Sequence, residues 1–336
     1  MKQLSTAGIN VPQLPYPWHL AAWQQLDRSF QSQRFPHALM LHGVPGVGKY
    51  SFAQWLSHTL LCEVKSSSLT PCGQCPSCKL NQAGSHPDFI VVSPEEDKTQ
   101  ISVDQIRAAN ESLTLTSTRN GYRVAIIEPA HQMTIAAANS LLKTLEEPNP
   151  NTLIIMVTSQ PGSLLPTLRS RCQQLAIRVP PLKETQHWLQ QQLGKPVSNE
   201  LLGYAGGAPL RALDIAKGPY EALRQSMLSG LEAITKGSND LAVVAQSWAD
   251  DQIQERLHWL EFWLAGAIRQ KMLKTVDSFT PVIASETILG ANLSAMYKAL
   301  DKLREVTEQL RRTSLQRELV LISLLMRIQQ SLLIKI

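Results

Sequence analysis

"LMLHGVPGVGKYSFAQWL", residues 39 to 56, reads as a strand, a glycine-rich loop and a helix in immediate succession. A phosphate-binding loop follows the pattern G-x-x-x-x-G-K-[ST]: consecutive backbone N–H groups and the start of the next helix wrap the phosphates, and the lysine adds a point charge. Gly43, Gly48 and Lys49 stand at that spacing, with Gly46 between them. Tyr50 takes the last position, where a small hydroxyl would hold Mg²⁺. Ser51 comes next, but one step along a helix turns a side chain by about 100°. The stretch predicts a P-loop α/β fold, and Tyr50 at the end of the loop pattern predicts weak or absent nucleotide turnover.

Four more apolar runs follow the one at 37–41, namely "DFIVV" (88–92), "YRVAII" (122–127), "TLIIMVTS" (152–159) and "QQLAI" (173–177). Helical patterns separate them, which predicts a parallel sheet flanked by helices. Phe52, Leu56 and Leu60 recur every four residues and predict an amphipathic helix ending near Cys62. "SVDQ", Ser102 to Gln105, is a capping box, and "HQMTIAAANSLLKTLEEPNP" is a helix stopped by Pro148.

A catalytic NTPase ends a later strand with an acidic residue on the metal, commonly followed by a glutamate that positions water. Here "VAII" runs into Glu128 and then Pro129. Glu128 keeps the metal-side carboxylate, whereas proline can do no acid/base work. This second departure agrees with the one at Tyr50.

Five cysteines are present, and four of them, Cys62, Cys72, Cys75 and Cys78, form a C-x₉-C-x₂-C-x₂-C cluster. Two-residue intervals let thiolates turn toward one ion, and four sulfurs satisfy tetrahedral Zn²⁺ with no open position, so the expected site is structural. His86 is a possible substitute ligand, and Cys172 reads as a lone thiol.

The net charge of +5 over 336 residues permits an anionic partner such as nucleic acid without requiring one. The opening 20 residues lack a signal-peptide pattern, and no run of about 18 apolar residues suggests a membrane span, so a cytosolic protein is expected. Beyond Pro180 and Pro181 strand signals fade. "ETQHWLQQQLG" and the helix after "GYAGGAP" predict a small helical subdomain. The rest reads as helical almost throughout, as in the spacing of Leu300, Leu303, Val306 and Leu310, then of Leu319, Ile322 and Leu325. Trp259 and Trp263 read as a packed helix face.

With "AAANSLLKTLEEP" at 136–148 and "LPTLRSRC" at 165–172, the whole pattern resembles the AAA+ clamp-loader subunits of bacterial DNA polymerase III. The resemblance implies an AAA+ P-loop domain over 1–180 with its zinc insert at 62–78, a helical lid over 181–218 and a C-terminal helical collar over 219–336. It implies a member of a hetero-pentamer with motor AAA+ subunits and a delta-type subunit, which loads a sliding clamp onto primed DNA at the bacterial replisome. This member carries a damaged nucleotide site. By the same resemblance Ser170, Arg171 and Cys172 match an "SRC" motif whose arginine reaches the ATP of an adjacent motor subunit; Arg169 is its competitor. Thr158 matches a polar residue at the end of a sensor strand, against the plain reading of a capped strand end. In the lid, Leu210 stands where active members carry an arginine, and Arg211 is one step on. Lys143 is a candidate for lining a DNA path.

Two rival readings are an active motor-type ATPase using Ser51 and a zinc-dependent nucleic-acid-binding module acting alone. The insert's few positive charges do not support the second.

Overall fold

All five expected strands form: Ala38–His42 (β1), Phe89–Val92 (β2), Arg123–Ile127 (β3), Thr152–Thr158 (β4) and Gln173–Ala176 (β5). The computed structural model describes residues 15–64, 70–119, 121–236, 241–273, 290–312 and 317–333. The opening segment read above for a targeting signal therefore lies largely outside the described residues, as does part of the cysteine insert. The chain divides into two compact units, residues 1–180 and 181–336.

The first unit holds the sheet and α1 (Leu20–Gln31), α2 (Lys49–Leu61), α3 (Pro76–Gln82), α4 (Val103–Thr114), α5 (Ile135–Glu146) and α6 (Pro166–Arg171). The strands pair in parallel in the order β2-β3-β4-β1-β5. Every residue of β3 and β4 is buried, because helices cover both faces of a parallel sheet. Met40, Ala125, Ile127, Ile154 and Met156 meet Ile106, Leu113, Leu141 and Leu145 of α4 and α5 in one core cluster. The chain enters the sheet at β1, jumps to the far edge at β2 and returns through β3 and β4. The crevice outside the carboxyl end of β1 is thus a topological switch point, where ligands of open α/β sheets bind.

Ser102 caps α4 with the full reciprocal box expected of "SVDQ". Two expectations need correction. The helix α2 is not amphipathic, since every residue from Phe52 to Leu61 is buried. It lies against β1, β3 and β4 and against α3, while Trp23 of α1 packs edge-on to both Phe52 and Trp55. Two of its polar residues bond within the helix: Ser57 and Thr59 donate to the carbonyls of Ala53 and Trp55 at 2.7 and 2.9 Å. The helix predicted from His131 begins only at Ile135, with Thr134 as its cap. Ala130–Gln132 instead form a 3₁₀ turn, and the Ile101 N–H donates to Gln132 while Thr134 donates back to Ile101.

The second unit is helical throughout its described residues: α7 (Leu182–Leu193), α8 (Asn199–Tyr204), α9 (Pro209–Lys217), α10 (Tyr220–Lys236), α11 (Leu241–Trp248), α12 (Ile253–Leu273), α13 (Leu293–Arg312) and α14 (Arg317–Leu333). One core cluster runs from Leu189 to Leu332, and Trp248, Trp259 and Trp263 are fully buried in it. Gly230 is required there, because a Cβ would come within 2.6 Å of the Trp248 ring. Leu319, part of the helical spacing noted above, is 62% exposed; Leu321, Leu324, Leu325 and Ile328 form the buried face of α14.

Candidate functional site

The loop between β1 and α2 is shaped by close approaches. A Cβ on Gly43 would lie 2.2 Å from the Ile177 carbonyl oxygen, because the chain leaving β5 runs against the loop and Ile177 donates to His42 at 2.8 Å. Gly48, with φ +78°, opens α2, and a Cβ there would meet the rings of Tyr16 and His19 at 3.0 and 3.1 Å. Neither position accommodates a side chain.

Those rings belong to an aromatic strap laid over the loop. Trp18 Nε1 donates to the Val47 carbonyl at 2.9 Å, and His19 Nε2 contacts the same oxygen at 2.7 Å. A carbonyl only accepts, so His19 carries its proton on Nε2. Tyr16 stacks on Trp18, and His19 packs edge-on to Phe52. Lys49 turns back to donate from Nζ to the Val44 carbonyl at 2.9 Å.

Burial lowers His19 to a pKa of about 4, although its bond to Val47 opposes the shift; burial also lowers His58 of α2 to about 4. Both bases are therefore neutral in the fold and charged when it opens in mild acid. Between an unfolded pKa near 6.5 and a folded value near 4 the unfolded chain binds more protons, so stability falls as pH is lowered through that window. The loss amounts to about 3 kcal/mol per histidine. Urea midpoints measured from pH 7 to 4.5 should drop steadily, and His19→Gln should show a shallower slope.

Lys49, Tyr50, Glu128, His131 and Thr158 gather at the carboxyl edge of the sheet. Burial lowers the Lys49 ammonium and raises the Glu128 carboxyl, and each charge opposes the other's shift. Burial, reinforced by Glu128, raises the Tyr50 hydroxyl. Thr158 accepts the Gln160 N–H at 3.0 Å, as a capped strand end should, and its hydroxyl also meets His131 Nδ1 at 3.1 Å. Burial, reinforced by the Lys49 charge, lowers the His131 imidazole. Tyr50 thus places a phenol at the position where the loop pattern calls for a small hydroxyl.

The four cysteines come together as predicted, with all Sγ atoms within 4.8 Å of one another. Cys62 and Cys75, and Cys72 and Cys78, have sulfurs 3.9 Å apart. A tetrahedron with Zn–S bonds of about 2.3 Å requires about 3.8 Å between sulfurs, so the set fits such an ion. The N–H groups of Cys72, Cys75 and Cys78 donate to the sulfurs of Cys62, Cys72 and Cys75 at 3.3 to 3.4 Å. Backbone donors of Gln74 and Cys75 pull the Cys72 thiol down to about 6, whereas burial pushes Cys62 and Cys78 up. His86 is not in the group: its Nδ1 accepts the Asp88 N–H at 3.1 Å. Glu63 ties the insert to the body, accepting from Ser77 and from Arg119 at 2.7 Å.

Arg171 ends α6, 36% exposed in its side chain, with Nη1 donating to the Thr167 carbonyl at 3.0 Å and Nη2 2.7 Å from Glu146. Cys172 is buried, and burial raises its thiol to about 12, so it is inert. Lys143 lies exposed on α5. Arg211 is committed within the second unit, bonded to His258 and lying 5.9 Å over the Tyr204 ring.

Three participants escaped the sequence reading: Tyr16, Trp18 and His19, in "YPWHL". Their density of aromatic residues beside prolines was the available signal, but their partner at Val47 lies 28 to 29 residues away. Glu146 was within a quoted motif and had been given no partner.

The sheet order, the loop at its switch point and the acidic residue ending β3 define a P-loop module of the AAA+ class. The family model described as DNA polymerase III, delta subunit, matches residues 18–181, and the one described as DNA polymerase III, delta subunit, C terminal, matches residues 221–330. Over 324 residues the chain is 32% identical to DNA polymerase III subunit delta' of Escherichia coli, covering 94% of this chain and 96% of that one. It is 35% identical to the subunit of the same name from Pseudomonas aeruginosa, over 76% of this chain and 78% of that one. The corresponding figures for Yersinia pestis are 35%, 82% and 85%. The chain belongs to the delta-prime family of DNA polymerase III clamp-loader subunits. Among its described residues no helix is long and apolar enough to cross a membrane.

Proposed function

We propose that this subunit assists ATP-driven loading of a sliding clamp onto primed DNA without hydrolysing ATP itself. It sits in a hetero-pentamer with motor AAA+ subunits and a delta-type subunit, in the cytoplasm at the replisome, and supplies Arg171 to the ATP bound by a neighbouring motor subunit. Residues 181–218 act as a lid and 219–336 as the collar that joins the subunits. The four cysteines hold a structural Zn²⁺, which the sulfur spacing and the all-thiolate donor set favour.

The observation that carries this reading is the state of the loop at 43–50. Gly43, Gly46, Gly48 and Lys49 keep the cradle, but Lys49 bonds to Val44 and the phenol of Tyr50 stands where Mg²⁺ needs a small hydroxyl. Glu128 keeps a carboxylate on the metal side, but Pro129 removes the water-orienting side chain. Thr158 is occupied by Gln160 and His131.

ATP turnover by the purified chain tests the proposal. No rate above background is expected, and Lys49→Ala should change nothing. A rate of about 1 s⁻¹ or more, abolished by Lys49→Ala, would overturn it in favour of a motor-type ATPase using Ser51.

A further inference from the structure

The two most distinctive motifs of the chain, "LLKTLEEP" at 141–148 and "SRC" at 170–172, are joined in space by one contact. Leu141 and Leu145 of α5 and Leu168 of α6, with Cys172 just beyond it, share a buried cluster. That packing sets the ends of the two helices side by side. Glu146 is the last residue of α5 and Arg171 the last of α6, and Glu146 Oε1 lies 2.7 Å from Arg171 Nη2. On the other arm, Nη1 donates to the Thr167 carbonyl at 3.0 Å.

A guanidinium has five N–H groups in a planar fork. Glu146 and Thr167 hold one on each arm, which fixes the plane and leaves others to meet phosphate oxygens. The side chains are 36% and 51% exposed, and an ion pair so placed adds little to stability. Its consequence is orientation. Arginine is long and loses rotamer freedom when it binds, so holding it in place beforehand removes part of that loss from the reaction.

We propose that Glu146 is the positioning residue for Arg171, holding the guanidinium aimed outward for a phosphate on the adjoining subunit. The inference rests on the role given to Arg171 above and adds to it a carboxylate that acts only through that arginine.

The test is single-turnover ATP hydrolysis, resolved at the site Arg171 serves, in the reconstituted complex carrying the full subunit as wild type, Glu146→Ala, Glu146→Gln, Arg171→Ala or the double variant Glu146→Ala with Arg171→Ala. Glu146→Ala should lower the single-turnover rate at that site about three- to fivefold, the scale of one exposed charge pair, with ATP affinity, subunit assembly and melting midpoint unchanged. Glu146→Gln keeps the side-chain volume and an oxygen that accepts from Nη2, and should retain most of the rate. In the Arg171→Ala background, Glu146→Ala should add no further loss.

An impaired Arg171→Ala beside an unimpaired Glu146→Ala would overturn the positioning role alone. So would a faster Glu146→Ala, which would mean that the carboxylate competes with phosphate for the arginine, or an equal loss in both backgrounds, which would mean a general structural effect. Normal hydrolysis with Arg171→Ala would instead sink the role of Arg171 itself.

Discussion

Arg171→Ala, built into the reconstituted complex, is expected to slow hydrolysis at the one neighbouring ATP site it serves by about 10³-fold or more, the effect of removing an arginine finger. Assembly should survive. Arg171 is an exposed terminal residue of a six-residue helix whose anchor is Leu168, fully buried in the sheet domain's core. Its contacts are one exposed carboxylate and one carbonyl within its own helix, so truncation leaves no buried partner unpaired. Arg171→Lys should recover only a small part of the rate, since an ammonium keeps the charge but not the planar fork that meets two phosphate oxygens at once. The total rate of the complex should fall to what its other sites supply, and single-turnover measurement resolves the affected site.

Replacing Cys75 and Cys78 together by serine should reduce zinc from about one ion per chain to none, as four thiolates are needed to close a structural tetrahedron. In small zinc domains the ion supplies about 10–16 kcal/mol of apparent binding energy, which is folding energy for the segment it holds. Here the three cysteines described as buried form a small cluster of their own, separate from the core beneath the sheet. The variant should therefore keep its sheet and unfold cooperatively at a lower temperature, with new proteolytic cuts confined to the insert between α2 and β2. Loss of Glu63's hold on Ser77 and Arg119 would follow as the knob opens. Elemental analysis and limited proteolysis check both halves of the expectation.

What sequence pattern conveyed and what it did not divide along a physical line. The five strands, the capping box at Ser102 and the cysteine knob depend on residues close in sequence, and each appeared where its pattern placed it. The loop was legible for the same reason: glycine spacing encodes backbone shape locally. Contacts made across the fold were not. Nothing near Phe52 announces that its helix will be covered on every side, because Trp23 and α3 arrive from elsewhere. The delayed start of α5 reflects a bond from Ile101, which diverts the backbone before Thr134. Leu319 kept the helical spacing of a core residue yet lies on the exposed side, since spacing defines a stripe and packing chooses which stripe is buried.

The candidate site shows the same division. Lys49, Tyr50 and Glu128 were named from motif positions and Thr158 through a resemblance, but the bond from Lys49 to Val44 and the aromatic strap on Val47 required the folded chain. Arg171 was named through a resemblance, and its carboxylate partner emerged only from the packing of α5 on α6.

A structure of the assembled complex with a non-hydrolysable ATP analogue in the motor subunits measures the central claim most directly, through the distance from the Arg171 guanidinium to the γ-phosphate next door. Nitrogen-to-oxygen separations of about 2.7–2.9 Å are expected, those of a charge-assisted hydrogen bond, with no magnesium-bound nucleotide on this subunit's own loop. An Arg171 that faces no nucleotide, or a magnesium–nucleotide pair seated beside Tyr50, would contradict it.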